Sequence, residues 1–351
     1  MEKIVEDSRN KYYFINLFRA KESLHIFNLL TRYKEETKND ILRELLDILQ
    51  LGDHNLTVNE IEACMNGMQD VTFSKEMSVA AKMEKLCLFI EALFRNRNIN
   101  YRKSDYTIPS AITSKYSVAN FGGFFRIIKL SKEKEVMDAI MTIYSAQNRL
   151  PLSEEVLLCN SHETDIEDIY LILNRWFKSS ANGKLNHIFC IGNIHELPFS
   201  VQSKMLLRIQ EQISTMAKAS NNHAKLVLLS GADSNSRLLV EFSQYVDSNF
   251  KLLPHKYISA ILKSYHGNHV KYVFSNRTAA GKTRYILKDI YTNKKKYKRI
   301  TVLEDSTIRD TVFTLKRTVE NMDRKDIAFH FSLCPLVPKH FNSLFLNFLF
   351  G

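Results

Sequence analysis

The 351 residues, 45% hydrophobic and 25% charged, have the composition of a globular chain long enough for about two domains. Only 10 glycines and 6 prolines are present, too few for the turns of an all-β sandwich or barrel and far from any low-complexity class. Lys and Arg outnumber Asp and Glu by 49 to 38, a net charge of +11 that suits an acidic partner, but the basic residues are spread along the chain and nucleic acid is not indicated.

Residues 1–148 read as a helical region. Leu17, Ala20, Leu24, Phe27 and Leu30 recur at spacings of 3 and 4, as do Ile41, Leu45, Ile48 and Leu49. Thr57-Val-Asn-Glu60 is a capping-box signature for a short helix, and Ser74 to Arg95 continues the helical pattern. Gly122-Gly123 punctuates the chain before a last helix over about 132–147. No chemical constellation stands out here, so these apolar residues are read as core.

The texture changes at Pro151. Short apolar runs at 155–159, 187–191 and 225–229 predict buried strands, and helical spacing predicts helices after Thr164-Asp-Ile-Glu167, over 200–217 and over 236–246. A helix over 257–265 leads to a second alternating set: strand 270–274, helix 281–291, strand 299–303, helix 307–321, strand 327–333 and an apolar helix 341–350. Strand and helix in alternation predict α/β architecture, with mostly parallel sheets flanked by helices and preceded by the helical region. The basic run Lys294–Lys296 with Lys298 and Arg299 is read as a solvated helix end and turn. Ending inside an apolar helix, at Leu349-Phe350-Gly351, is read as the mark of a chain that continues further.

The segment that carries chemistry is 270–284. A phosphate-binding loop needs a strand, inward-facing backbone N–H groups and a helix N-terminus aimed at the phosphate, in the pattern GxxxxGK[ST]. Gly281-Lys282-Thr283 supplies the second half, with Asn276 at the first glycine position and Arg277, Thr278, Ala279 and Ala280 between them; Arg284 follows. Asn tolerates positive φ better than other non-glycine residues, so the loop can still form. Gly281 lets the backbone approach the phosphates, Lys282 reaches the β- and γ-phosphates, and the Thr283 hydroxyl ligates Mg²⁺. The implied cofactors are ATP and Mg²⁺. Hydrolysis also needs an acid at the end of a neighbouring strand. The 327–334 run ends without one, and 187–193 ends in Gly-Asn with Glu196 the nearest acid, so no catalytic residue is assigned.

Other chemistries find less support. Cys64, Cys87, Cys159, Cys190 and Cys334 form no CxxC, which argues against a zinc site or disulfide framework and fits a reducing, cytoplasmic setting. His162, His187 and His195 are near one another in sequence, but a strand separates them. No apolar run is long enough to span a membrane.

At this point the residues resemble a family. Pro151-Leu-Ser-Glu-Glu-Val-Leu-Leu-Cys-Asn160, with Glu163, Thr164 and Glu167, is similar to the LPxxEVLLCxxxTxxE stretch of the mysterin-type giant E3 ubiquitin ligases. The likeness runs on through His187-Ile-Phe-Cys-Ile-Gly-Asn193 and Lys225–Ser230 into 273–283, where the family has an SxRxGxGK[ST] loop and tends to glycine where Ala279 stands; it ends in Phe329-His-Phe with Leu344-Phe345 and Leu349. The resemblance covers about 150–351. It implies a dynein-like row of AAA+ modules with ATP hydrolysis and ubiquitin transfer. The division it suggests is a helical region at 1–148, a degenerate AAA+-like module without phosphate loop at 149–255, and at 256–351 the start of a P-loop module that stops before its Walker B strand. The implied partners are nucleotide, further AAA+ modules and the ubiquitin machinery. No ring-finger or other zinc-binding ligase element is recognisable in the sequence. A stand-alone P-loop ATPase and a nucleotide-free α/β scaffold are the competing readings.

Overall fold

The computed structural model describes residues 2–33, 38–53, 56–68, 76–95, 123–132, 135–145, 149–161, 164–184, 187–217, 224–231, 236–247, 249–266, 282–292, 296–302, 315 and 327–333. The chain divides into two compact units, Met1–Lys103 with Thr107–His255, and Ser104–Tyr106 with Lys256–Gly351.

The first unit opens with α1 (Glu2–Lys11), α2 (Ala20–Arg32), α3 (Lys38–Leu49), α4 (Val58–Gly67) and α5 (Val79–Phe94). The Thr57–Glu60 box forms: the Thr57 backbone N–H and hydroxyl donate to Glu60 Oε2 at 2.8 and 2.7 Å. The Ser78 hydroxyl caps α5 by accepting from the Ala81 N–H at 3.3 Å. Ile41, Leu45, Ile48 and Leu49 are all buried, as their spacing predicts. The stripe through Leu17 and Leu24 is corrected. Leu17 ends a 3-10 turn (Phe14–Leu17), Arg19 is extended, and the helical phase restarts at Ala20. The buried face of α2 therefore carries Ser23, Ile26, Phe27 and Leu30, and leaves Leu24 62% exposed.

The α/β part follows as β1 (Phe125–Lys129), α6 (Val136–Ser145), β2 (Val156–Leu158), α7 (Ile166–Lys178), β3 (Ile188–Gly192), α8 (Phe199–Met216), β4 (Lys225–Ser230), α9 (Arg237–Glu241) and β5 (Val246–Asp247). The five strands form one sheet in the order β2-β3-β4-β1-β5, every neighbouring pair parallel. β1 departs from the expected all-helical 1–148. Its run Phe-Arg-Ile-Ile-Lys is too short to show a period of its own, and Phe125, Ile127 and Ile128 are buried between β4 and β5. The helix expected over 236–246 also ends early. α9 stops at Glu241, a 3-10 turn spans Ser243–Tyr245, and Val246 starts the edge strand.

The cap of α7 is a further correction. The N-cap is Asp165, whose carboxylate accepts from the N–H groups of Glu167 (2.8 Å) and Asp168 (3.1 Å). The Thr164 hydroxyl instead accepts from the Asn160 N–H at 2.9 Å. Two overlapping caps, Thr164–Glu167 and Asp165–Asp168, compete, and tertiary contacts of Glu167 decide between them.

The described elements of the second unit are α10 (His255–His266), α11 (Lys282–Thr292), β6 (Lys296–Val302) and β7 (Ile327–Leu333). β6 and β7 pair in parallel from Lys296↔Ile327 to Val302↔Leu333. Lys296, Lys298 and Arg299 thus lie on a strand, exposed, and not on a helix end, because Ile300 anchors the run as strand by burial. The expected strand 270–274, the loop 276–281 and the helix 341–350 lie outside the described residues, as does the helix 307–321 apart from Leu315, which is helical and buried.

Candidate functional site

Ligands of open parallel sheets bind beyond the carboxyl ends of the strands, where the chain's connections change direction. In the first unit that point is β1, flanked by β4 and β5. Among the described residues, backbone bonds tie neighbouring strand ends together on this side of the sheet. The Leu130 N–H donates to the Ser230 carbonyl at 2.8 Å, and the Cys159 N–H to the Gly192 carbonyl at 2.9 Å. A Cβ placed on Gly192 would fall 2.5 Å from Leu158 Cδ2 and 3.0 Å from Val136 Cγ2. Val136, the first residue of α6, is fully buried. Gly192→Ala is therefore expected to cost about 1–3 kcal/mol by overpacking. Denaturant unfolding checks it, and an unchanged midpoint would mean Leu158 and Val136 yield freely.

Carboxylates stand at the start of α6. The Lys132 N–H donates to Glu135 Oε2 at 3.1 Å, and Asp138 follows in the first turn of α6. Burial pushes the Asp138 carboxyl up, His255 opposes, and Glu135 adds to the rise. The positive end of α6 is matched by the chain's own carboxylates, whereas a phosphate site needs free N–H groups and a lysine.

At the ends of β3 and β4, Asn193 takes a left-handed conformation (φ 58°) and His195 Nδ1 accepts from the Gly231 N–H at 3.1 Å, tying the two strand ends together. His187 lies at the opposite end of β3, facing Glu155 across 2.8 Å, so the two histidines are not brought together. His162 lies outside the described residues, among which no group of three His, Cys, Asp or Glu side chains could hold a metal. Cys159 and Cys190 are buried, and burial pushes both thiols up, as befits packed side chains.

In the second unit Lys282 is the first residue of α11, and Thr283 and Arg284 are exposed at its start. Asn276, Arg277, Thr278, Ala279, Ala280 and Gly281 lie outside the described residues. For Mg²⁺, the Thr283 hydroxyl is one fitting ligand. Neither β6 (KYKRITV) nor β7 (IAFHFSL) carries an acid. The titratable residue of β7 is His330. Burial and the Arg299 charge push its imidazole down, and the Tyr297 hydroxyl lies 3.0 Å from Nδ1.

The two units repeat one arrangement. In the first, α6 leads to β2, which pairs in parallel with β3; in the second, α11 leads to β6, which pairs in parallel with β7. The first residues of β2 and β3 are 32 positions apart (Val156, Ile188), and those of β6 and β7 are 31 apart (Lys296, Ile327). Lys282 stands where α6 has Val136.

A parallel five-stranded sheet flanked by helices defines the first unit's α/β part as an AAA-like fold. Residues 127–246, from β1 to the start of β5, match the family model described as RNF213 AAA domain, and this stretch is a mysterin-type, AAA+ ATPase-like region. No curated protein matches the chain. Among the described residues no helix is long and apolar enough to cross a membrane.

Sequence spacing missed the buried ionic cluster of Arg149, Glu155 and His187. Its only signal was Glu155 at the head of an apolar run, an acid where the neighbouring residues are core.

Proposed function

We propose that the chain is part of the AAA+ core of a mysterin-like E3 ubiquitin-protein ligase. It joins helical residues and an AAA region without a phosphate loop to the start, from about 256, of a second module that holds ATP. The observation that carries this reading is the repeated helix–strand–strand arrangement, in which the helix of the second copy begins at Lys282-Thr283, the end of the Gly-Lys-Thr sequence, where the first copy has Val136. Lys282 meets the β- and γ-phosphates as a point charge, and Thr283 offers its hydroxyl to Mg²⁺. Bound Mg²⁺ supplies charge neutralisation across the phosphate oxygens. Asn276, Arg277, Thr278, Ala279, Ala280 and Arg284 line the loop on this reading. Ubiquitin machinery, further AAA+ modules and a cytoplasmic setting come with the family likeness alone.

Holding ATP here serves assembly or regulation more than turnover, since β6 and β7 carry no acid for the metal or the water. Titrating labelled ATP with and without Mg²⁺, and following phosphate release in the same samples, tests both statements. Saturable, Mg²⁺-dependent binding is expected, with turnover far below ~1 s⁻¹. Turnover at that rate, lost in Lys282→Ala, would point to a stand-alone P-loop ATPase, and no binding at all to a nucleotide-free scaffold.

A further inference from the structure

We infer that α1–α5 form a block with its own core, held on the outer face of α7 by a polar latch that opens without unfolding either side. The occupant of the α7 face is the chain's own segment from Arg9 to Ala20.

The apolar packing is divided. One cluster of buried side chains draws only on residues between Tyr12 and Phe94, and another only on residues from Phe124 to Val246. The contacts that join the block to α7 are ionic and hydrogen-bonded. Glu167 Oε1 accepts from the Arg9 guanidinium and, at 2.7 Å, from the Ala20 backbone N–H. Asp168 takes Arg19 in a two-point grip, Nε to Oδ1 at 2.6 Å and Nη2 to Oδ2 at 2.7 Å. Further along α7, Asn174 donates to Asn16 Oδ1 at 3.1 Å, Arg175 to the Asn16 carbonyl, and Lys178 to the Arg9 carbonyl.

The geometry explains why the segment seats there. The first N–H groups of a helix have no partner within it. Ala20 is the first residue of α2, and its N–H is met by a carboxylate from the first turn of α7. The two helix N-termini, both positive, share the negative charge of Glu167 and Asp168. Charge-assisted and two-point bonds make such a seam specific. Arg19 is 45% exposed, so its grip on Asp168 is the part of the seam that salt screens, within about 10 Å at 0.1 M, while Asn16, Asn174 and Arg175 are buried. A polar interface between blocks with separate cores is the kind across which relative motion is expected.

The test uses the full chain, with hydrogen exchange and small-angle scattering. In Asp168→Arg, exchange at Ala20 and through the first turn of α7 is expected to rise at least ~10-fold and the radius of gyration to grow. Amides of Ile26–Leu30 and Leu226–Leu229 should keep their protection. The double variant Arg19→Glu/Asp168→Arg should restore both readouts. The milder Arg19→Gln should show the same opening at lower salt than the unaltered chain. Loss of protection in α2 and β4 together would show one cooperative body and overturn the latch. So would exchange at Ala20 that neither salt nor any of these substitutions moves.

Discussion

Arg149→Ala is expected to lower the unfolding free energy by about 3–5 kcal/mol, the cost of stranding a buried charge. Glu155 is fully buried, with Arg149 Nη1 and Nη2 on its two oxygens at 2.6 and 2.9 Å, the Leu152 N–H at 3.1 Å and His187 across 2.8 Å. Arg149 also lies over the Tyr144 ring, 4.9 Å from its centroid. The cluster pins the entry of β2 to the entry of β3. Burial alone would raise the Glu155 carboxyl; the hydrogen bond with His187 and the Arg149 charge outweigh it and hold the group below the ordinary carboxylate range. A folded-state pKa lowered in this way gives stability that is present above the unfolded value of about 4.3 and lost as pH falls below it. Denaturant unfolding between pH 7 and pH 3 should show that acid limb in the unaltered chain and a flatter one in Glu155→Gln. A loss under about 1 kcal/mol in Arg149→Ala would mean that water or a rearranged neighbour solvates Glu155.

Lys282→Ala is expected to weaken ATP binding at least ~10-fold, because a charge-assisted contact of this kind is worth ~1.5–3 kcal/mol. Thr283→Ala should act differently, reducing the gain in affinity from Mg²⁺ more than the affinity without it. Both residues open α11 and Thr283 is exposed there, so the far-ultraviolet spectrum should not change. Equal affinity in Lys282→Ala and the unaltered chain would place the nucleotide elsewhere.

Where one cause dominated, the sequence was legible. Fully apolar runs bounded by polar residues marked β3 and β4, since a parallel strand buried on both faces has no alternation to blur. The length and ends of α8 followed from helical spacing. Where two local solutions competed, tertiary structure chose. Thr164 and Asp165 are both good caps, and Glu167 was withdrawn from the first box by Arg9 and Ala20, residues about 150 positions away in the chain. Leu24 fits the helical stripe by spacing, but the core meets the neighbouring face of α2, the one that carries Ser23, Ile26, Phe27 and Leu30. β1 was hidden because five residues between a glycine pair and a helix show no period, and their burial comes from strands more than 90 positions later. At the candidate site, the chemistry of Lys282 and Thr283 was readable, while the packing over Gly192 in the first sheet was not. Val136 and Leu158 look like ordinary core until the sheet order brings them over Gly192.

The central claim is that nucleotide is held by the second unit and not by the AAA region that precedes it. Photo-crosslinking with an azido-ATP analogue, followed by peptide mapping of the labelled chain, tests it most directly. The account predicts label in peptides from 256–351, competed away by ATP and lost in Lys282→Ala. Competed label in peptides from 123–255, around Lys132, Asn193 or Gly231, would contradict it.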